Sequence, residues 1–185
     1  MSDEILDHAE EKMMDALEAL GGNFSAVRTG RANPKVLDRI RVEYYGAMTP
    51  INQIAAIKAP DAHMLVIEPW DKGALKAIVK AIQESDLGVT PNDGGDVIRL
   101  PFPSLTEERR RELAKQCKGY AEDARVAVRN ARRDANSALA KAEKNSEITE
   151  DDLRSGEADV QKLTDKYIAL VDEAYKKKEA ELMEI

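Results

Sequence analysis

The sequence predicts an α+β protein in which a small α+β domain is inserted into an elongated three-helix bundle. Long stretches towards both ends of the chain repeat apolar residues at helical spacing, which indicates amphipathic helices. The middle of the chain instead alternates β-branched and charged residues, as half-buried strands do. The composition, 34% charged and only 4% aromatic residues, favours long exposed helices over an aromatic-rich β-sandwich.

The first predicted helix covers residues 2 to about 29. Its apolar residues recur at spacings of three and four, as in a coiled coil or slim bundle: Leu6, Met13, Leu17, Leu20, Phe24 and Val27. Gly21 and Gly22 lie inside this helix and should each cost about 1 kcal/mol relative to alanine. Because the apolar pattern continues through both glycines, we predict one helix.

The middle of the chain, residues 31–104, is predicted to form the small α+β domain. Gly30 followed by Asn33-Pro34 is a helix-stop and turn signal. A helix is expected at 72–84, and strands are expected at 36–45, 51–57, 63–67 and 97–100. Pro60-Asp61 should separate the second and third strands, and residues 93–96 should form the turn before the last strand.

Two further long helices complete the predicted bundle. One begins after Ser104 or Thr106, either of which can cap it, and reaches about Lys144, which makes it about 60 Å long. Many of its apolar positions are alanines, so a neighbouring helix can approach closely. The other begins near Thr149. A narrow apolar stripe cannot shield itself from water, so the three helices must pack together.

The predicted domain limits leave two chain crossings. The bundle comprises residues 1–30 and 105–185, and the inserted domain comprises residues 31–104. Two crossings without a third connection can act as a hinge. We therefore predict four hinge residues: Gly30, Arg31, Pro103 and Ser104.

Positive charge concentrates in one segment. The chain has a formal net charge of −7, whereas residues 105–144 hold eleven basic and seven acidic side chains. Five of these basic residues share one face at helical spacing and form what we call the basic stripe: Arg111, Lys118, Arg125, Arg129 and Arg132. Arg133 flanks the stripe. Arginines in a row on a rigid helix suit contacts with RNA phosphates.

A second interpretation of the basic stripe is purely structural. Residues 1–30 carry a net charge of −5 and residues 145–185 a net charge of −6. Acids of the other two helices could therefore pair with the arginines, and the chain would be a helical adaptor. Charge alone leaves RNA binding and this alternative open.

The sequence offers no constellation for catalysis or metal binding. His8 and His63 lie in different predicted domains, without a cysteine or carboxylate at ligand spacing. Cys117, the only cysteine, falls on the apolar face of its helix, where a core residue is expected rather than a nucleophile. No P-loop or dinucleotide-binding motif is present. We expect a non-enzymatic protein without cofactor or metal, which also disfavours an enzyme acting on nucleic acid.

No targeting or membrane segment is apparent. The first four residues lack an apolar run, so we expect neither a signal peptide nor a transit peptide. The longest apolar stretches fall far below the roughly 18 residues that a membrane span requires. We therefore expect a soluble, cytoplasmic protein with no membrane partner.

Segments along nearly the whole chain resemble ribosome recycling factors. They lie, without a large insertion or loss between them, at 27–34, 42–46, 49–50, 85–88, 98–99, 105–110, 124–135, 160–165 and 179–183. The strongest match is ARVAVRNARRDA at 124–135. The turn at 93–95 departs from the usual family sequence, which affects only the detail of that turn.

The resemblance implies an L-shaped molecule, with the bundle as one arm and the small domain as the other. It implies a monomeric factor that binds the post-termination 70S ribosome through rRNA of the large subunit. Elongation factor G, using GTP, would then drive the subunits apart and free them from mRNA. Neither DNA nor a cofactor is implied.

The resemblance also assigns RNA contacts. The family's contacting basic residues carry over onto six positions here: Arg28, Arg31, Arg110, Arg129, Arg132 and Arg133. Arg129 and Arg132 also belong to the basic stripe, whereas Arg125 is predicted as a contact from the stripe alone. Salt-dependent binding to large subunits would distinguish this interface from the structural adaptor.

Overall fold

The computed structural model describes residues 1–184. Over these residues the chain forms four α-helices and six β-strands: α1 (Ser2–Ala26), β1 (Arg41–Tyr44), β2 (Ala47–Pro50), β3 (Ala55–Asp61), β4 (Met64–Pro69), α2 (Leu75–Glu84), β5 (Asn92–Gly94), β6 (Val97–Pro101), α3 (Glu107–Lys144) and α4 (Glu150–Met183). The predicted fold class, long helices combined with a small α+β domain, is confirmed.

The chain divides into two compact units. Met1–Phe24 and Ala114–Ala180 form one, which we call the helical unit. Ser25–Leu113 and the residues from Glu181 onwards form the other, which we call the mixed unit. The domain limits predicted at 30–31 and 104–105 lie where the sequence pattern of each long helix ends or begins. The two units are defined by which residues pack together. The predicted limits therefore stay a prediction.

The core of the helical unit is built from all three long helices. One cluster joins Met13 of α1, Val128 and Ala131 of α3, and Tyr167 of α4. A second cluster joins four more buried residues: Ala9, Ala135, Leu139 and Val160. Each helix thus covers the narrow apolar stripes of the other two, as the sequence predicts.

Small residues let α3 and α4 approach closely. A Cβ atom added at the buried Gly156 of α4 would lie 3.0 Å from two side-chain carbons of Leu139 on α3. On the α3 side, several buried positions are alanines: Ala121, Ala124, Ala131, Ala135 and Ala142. The alanine-rich apolar face predicted for this helix is therefore an interhelical face.

The mixed unit contains two antiparallel sheets. Strands β1 and β2 form a hairpin, and the other four strands form a sheet in the order β3-β4-β6-β5. Buried residues of β4, β6 and α2 share one core: Leu65, Ile67, Ile98, Leu100, Ile78 and Ile82. In β4 the fully buried positions alternate with half-buried ones, which is the period-two pattern of a strand.

Two predicted strands begin with 3₁₀ turns instead. The strand predicted at 36–45 is reduced to β1, because residues 34–37 form a turn that Asn33 caps: its side-chain oxygen accepts a hydrogen bond from Lys35 N at 3.0 Å. The strand predicted at 51–57 starts only at Ala55, after a turn over 51–53. The first helix also ends earlier than predicted, at Ala26.

Other differences concern turns and edges. Strand β3 runs through Pro60-Asp61, which the sequence pattern assigned to a break, and the register of this edge strand shifts between Lys58 and Asp61. Proline is tolerated at such edges and bulges. The turn predicted at 93–96 is shorter, because residues 92–94 form β5 and Gly95, with φ +76°, makes the bend.

Glycines inside exposed helical faces provide a test of this fold. Gly119 in α3 is exposed, and a Cβ added there would meet no other atom within 4 Å. We expect Gly119→Ala to raise the free energy of unfolding by about 0.5 to 1 kcal/mol, because alanine has the higher helix propensity. Urea denaturation measures the change.

Gly156 provides the matched control. We expect Gly156→Val to lower the free energy of unfolding, because the added side chain would overlap Leu139. If Gly119→Ala destabilises the protein as Gly156→Val does, α3 is not an exposed helix at position 119.

Candidate nucleic-acid interface

Helix α3 carries five of the seven predicted RNA contacts. Of its two predicted caps, Ser104 and Thr106, the structure uses the second: Thr106 Oγ1 accepts a hydrogen bond from Arg109 N at 3.1 Å. Glu107 and Glu108 lie in the first turn, where negative charge favours the helix dipole. The buried face of α3 then determines which side chains point away from the core.

The predicted contacts fall in both units. Four of them belong to the helical unit: Arg125, Arg129, Arg132 and Arg133. The other three belong to the mixed unit: Arg28, Arg31 and Arg110. Their surroundings differ widely.

Arg125 is bound within the protein. Its Nε and Nη2 donate to Asp172 Oδ1 of α4 at 2.9 and 2.6 Å, and its Nη1 donates to Glu122 at 3.2 Å. Only 21% of its side chain is exposed. Burial acts to lower the pKa of Arg125, but the hydrogen bonds to Asp172 and Glu122 outweigh it and raise that pKa. Arg125 is therefore paired with acids of the same chain, as the structural interpretation of the basic stripe predicts.

Arg129 shares a carboxylate with Arg125. Its Nη1 donates to Glu122 Oε1 at 3.2 Å, whereas Arg125 contacts Oε2 of the same side chain. Hydrogen bonds from Arg129 and then from Arg125 lower the pKa of Glu122. Arg129 itself is exposed, and its other guanidinium nitrogens make no hydrogen bond with residues 1–184.

Arg132 and Arg133 have no acidic partner in the described part of the chain. Arg132 Nη1 donates to the neutral amide oxygen of Gln161 at 3.3 Å. Arg133 is exposed and makes neither a hydrogen bond nor an ion pair with residues 1–184. These two positive charges are therefore the least compensated of the four in the helical unit.

Arg28 is buried rather than presented to solvent. It is 5% exposed, its Nη2 donates to the Pro103 carbonyl at 2.6 Å, and its guanidinium carbon lies 5.3 Å from the centre of the Phe102 ring. Burial lowers the pKa of Arg28, and the charge of Arg109 lowers it further. The side chain thus joins the chain after α1 to the chain before α3.

Arg31 and Arg110 are less enclosed. Arg31 is exposed and forms a long ion pair with Glu184, 3.6 Å between Nη2 and Oε1. Arg110 is half-buried, and its Nε is buried without a hydrogen-bond partner among the described residues. Both guanidiniums retain donors that can bind a further acceptor.

The other candidate groups lack reactive surroundings. Cys117 is fully buried, and burial raises the pKa of its thiol, while Lys178 acts in the opposite direction. His63 Nδ1 contacts the Gly30 carbonyl at 3.1 Å. Within residues 1–184 no group of three or more His, Cys, Asp or Glu side chains could hold a metal ion. Over the same residues no helix has the length and apolar character needed to cross a membrane.

One cluster in the mixed unit escapes the sequence analysis. The β1–β2 hairpin turns at Tyr45 and Gly46, whose φ angles are +48° and +78°. The hydroxyls of Tyr44 and Tyr45 donate to Asp71 Oδ2 at 3.1 and 3.2 Å, and Gly73 N donates to Oδ1. The sequence signal was present in the adjacent tyrosines before a glycine, but nothing in a linear pattern joins them to Asp71.

Comparisons with known proteins agree with this fold. The model of the ribosome recycling factor family matches residues 20–183. The chain is 58% identical to the ribosome-recycling factor of Bacillus licheniformis and 55% identical to that of Bacillus subtilis, over 100% of both chains in each case. A solution structure of the ribosome recycling factor matches with a TM-score of 0.79 and 40% identity, covering 100% of this chain and 98% of that one.

A second solved structure comes from a ribosomal complex. It comprises models for the Thermus thermophilus ribosome recycling factor and the Escherichia coli elongation factor G bound to the E. coli post-termination complex. The match has a TM-score of 0.69 and 46% identity over 100% of each chain. Similarity of this extent places the chain among the non-enzymatic translation factors that act on ribosomes. It belongs to the ribosome recycling factor family, and its function is ribosome recycling.

The pairing of Arg125 with α4 can be tested by removing its partner. We expect Asp172→Asn to lower the free energy of unfolding by about 1 kcal/mol, because a partly buried guanidinium loses its charged acceptor. Urea denaturation measures the change, with Glu173→Gln as the control at a neighbouring exposed acid. Equal effects of the two substitutions would contradict a specific role for Asp172.

Proposed function

We propose that this chain binds rRNA of the large subunit on the post-termination 70S ribosome and, with elongation factor G and GTP, promotes subunit dissociation and release from mRNA. It acts in the cytoplasm as a monomer and requires no cofactor. Beyond the family function, we propose which surface of the chain contacts RNA and which part of the chain the GTPase moves.

The proposed RNA contact rests on Arg132 and Arg133, whose positive charges are not paired with a carboxylate within residues 1–184. Both lie on α3 without an acidic partner among the described residues. Phosphate oxygens are the natural acceptors for arginine donors, and a helix fixes the direction from which these donors approach. Their position supports an RNA surface along the outer side of α3.

The seven predicted contacts take different parts in this proposal. Four are exposed or half-buried with donors available for phosphate: Arg31, Arg129, Arg132 and Arg133. Arg110 is half-buried, and we propose that its terminal nitrogens rather than its buried Nε add a further donor. Arg28 and Arg125 are bound inside the protein, so we propose that Arg28 chiefly holds the backbone at Pro103, that Arg125 joins α3 to α4 through Asp172, and that both add their charge to the surface potential.

The GTPase partner is proposed from the relatives. The T. thermophilus ribosome recycling factor was placed with elongation factor G on a post-termination complex, and that factor is 46% identical to this chain. The sequence has no P-loop or dinucleotide-binding motif, so we propose that the GTPase supplies the energy that separates the subunits. The same partnership is therefore proposed here.

The proposed hinge comprises Gly30, Arg31, Pro103 and Ser104. The hydrogen bond from Arg28 Nη2 to the Pro103 carbonyl supports the prediction that the two chain crossings run side by side. Backbone at adjacent crossings can rotate together, so a push on residues 31–104 would be transmitted to the junction without breaking a long helix.

The competing hypothesis for the basic stripe is the purely structural role of its arginines, as in the adaptor interpretation, and the pairing of Arg125 with Asp172 favours it. Salt dependence separates the two. RNA binding through arginines must weaken as salt displaces the phosphate contacts, whereas an adaptor with internally paired arginines would bind large subunits with little salt dependence, if at all.

The first test is Arg132→Ala. We expect weaker binding to large subunits, and a plot of log affinity against log salt whose slope falls by about one unit, because one phosphate contact is lost. Lys141→Ala, which removes an exposed basic residue from the last turn of α3, is the control and should change binding less. Unchanged binding by a stably folded Arg132→Ala protein would remove this residue from the interface.

The second test separates binding from splitting. A chain in which residue 30 is joined to residue 105 by a short glycine linker should still bind large subunits, because the arginines of the helical unit are kept. It should fail to split ribosomes in the presence of elongation factor G and GTP, as followed by light scattering. Circular dichroism checks that its helices form. Splitting at the parent rate would show that residues 31–104 do not transmit the force.

A further inference from the structure

Two guanidiniums of the basic stripe converge on one carboxylate. Glu122 Oε2 accepts from Arg125, and its Oε1 accepts from Arg129 two helical turns along α3. Arg125 has a second and shorter attachment, to Asp172, whereas no other acceptor of Arg129 lies among the described residues. Glu122 is therefore the only hydrogen-bond partner of the Arg129 guanidinium within residues 1–184.

The geometry of this contact leaves Arg129 partly available. Glu122 occupies only Nη1, so Nε and Nη2 keep their donors. A phosphate that reaches these nitrogens meets a guanidinium whose motion is restricted by one hydrogen bond, which reduces the entropy lost on binding. The same phosphate also approaches the carboxylate of Glu122, and the negative charges of the two groups repel each other.

These two effects act differently on different RNAs. At a site whose phosphate matches the fixed direction of Arg129, the gain from orientation offsets the repulsion. The phosphates of an arbitrary RNA do not match that direction, so they meet only the repulsion from the carboxylate of Glu122. A protein that must ignore most cellular RNA gains selectivity from such an arrangement.

We infer that Glu122 is a specificity-determining residue of the proposed RNA interface, which holds Arg129 in position and disfavours binding to arbitrary phosphates. This inference rests on the proposed function. It concerns the ratio of two affinities, large subunit against arbitrary RNA, rather than either affinity alone.

The test uses the full chain with Glu122→Gln, which keeps the shape of the side chain and removes its charge. We expect affinity for an RNA duplex of arbitrary sequence to rise about threefold to tenfold at low salt. Affinity for large ribosomal subunits should stay within about twofold of the parent or fall. The ratio of the two affinities should therefore decrease.

Asp123→Asn is the matched control. It removes the same charge from the neighbouring position, and Asp123 is exposed and contacts no guanidinium in the described structure. Its ratio should stay near that of the parent. If Asp123→Asn and Glu122→Gln change the ratio equally, net charge explains the result and the inference is overturned.

A double substitution tests the route through Arg129. In an Arg129→Ala background, Glu122→Gln should no longer change the ratio, because the group that it positions is absent. A persistent effect in that background, or an unchanged ratio in the single variant, overturns the inference. Failure of the proposed function would look different, since the parent itself would then bind large subunits without salt dependence.

Discussion

The mutual burial of three narrow apolar stripes is the constraint on which the rest of the helical unit depends. None of the long helices can shield its own stripe, and each covers the other two around Met13, Val128 and Tyr167. The close approach at Gly156 and Leu139 leaves α3 little freedom to rotate. The same packing that excludes water from one face of α3 therefore fixes which arginines face outwards.

The long helices were predictable because a seven-residue pattern repeated many times outweighs local interruptions such as Gly21-Gly22. The small strands were harder to predict. β2 and β5 are three or four residues long, lack an apolar alternation, and exist because they pair with β1 and β6. Such pairing is a tertiary effect that a linear pattern does not contain.

The candidate site was also predictable only in part, because helical spacing gives the face of a side chain but not its partner. Helical spacing gives the direction in which each Cβ leaves α3, and it predicts one face for Arg125, Arg129 and Arg132. It does not give the end point of a long side chain. Arg125 reaches Asp172 on another helix, whereas Arg132 meets only a neutral amide. The choice depends on which acceptor the packing of α4 brings within reach.

The burial of Cys117 has a practical consequence for measuring motion in this protein. It is the only cysteine in the chain, and its thiol is enclosed in the helical unit with a raised pKa. Maleimide dyes react with accessible thiolates, so the native chain should take up such dyes slowly. A pair of surface cysteines, one in each unit, could then carry donor and acceptor fluorophores for energy-transfer experiments without first removing the native thiol.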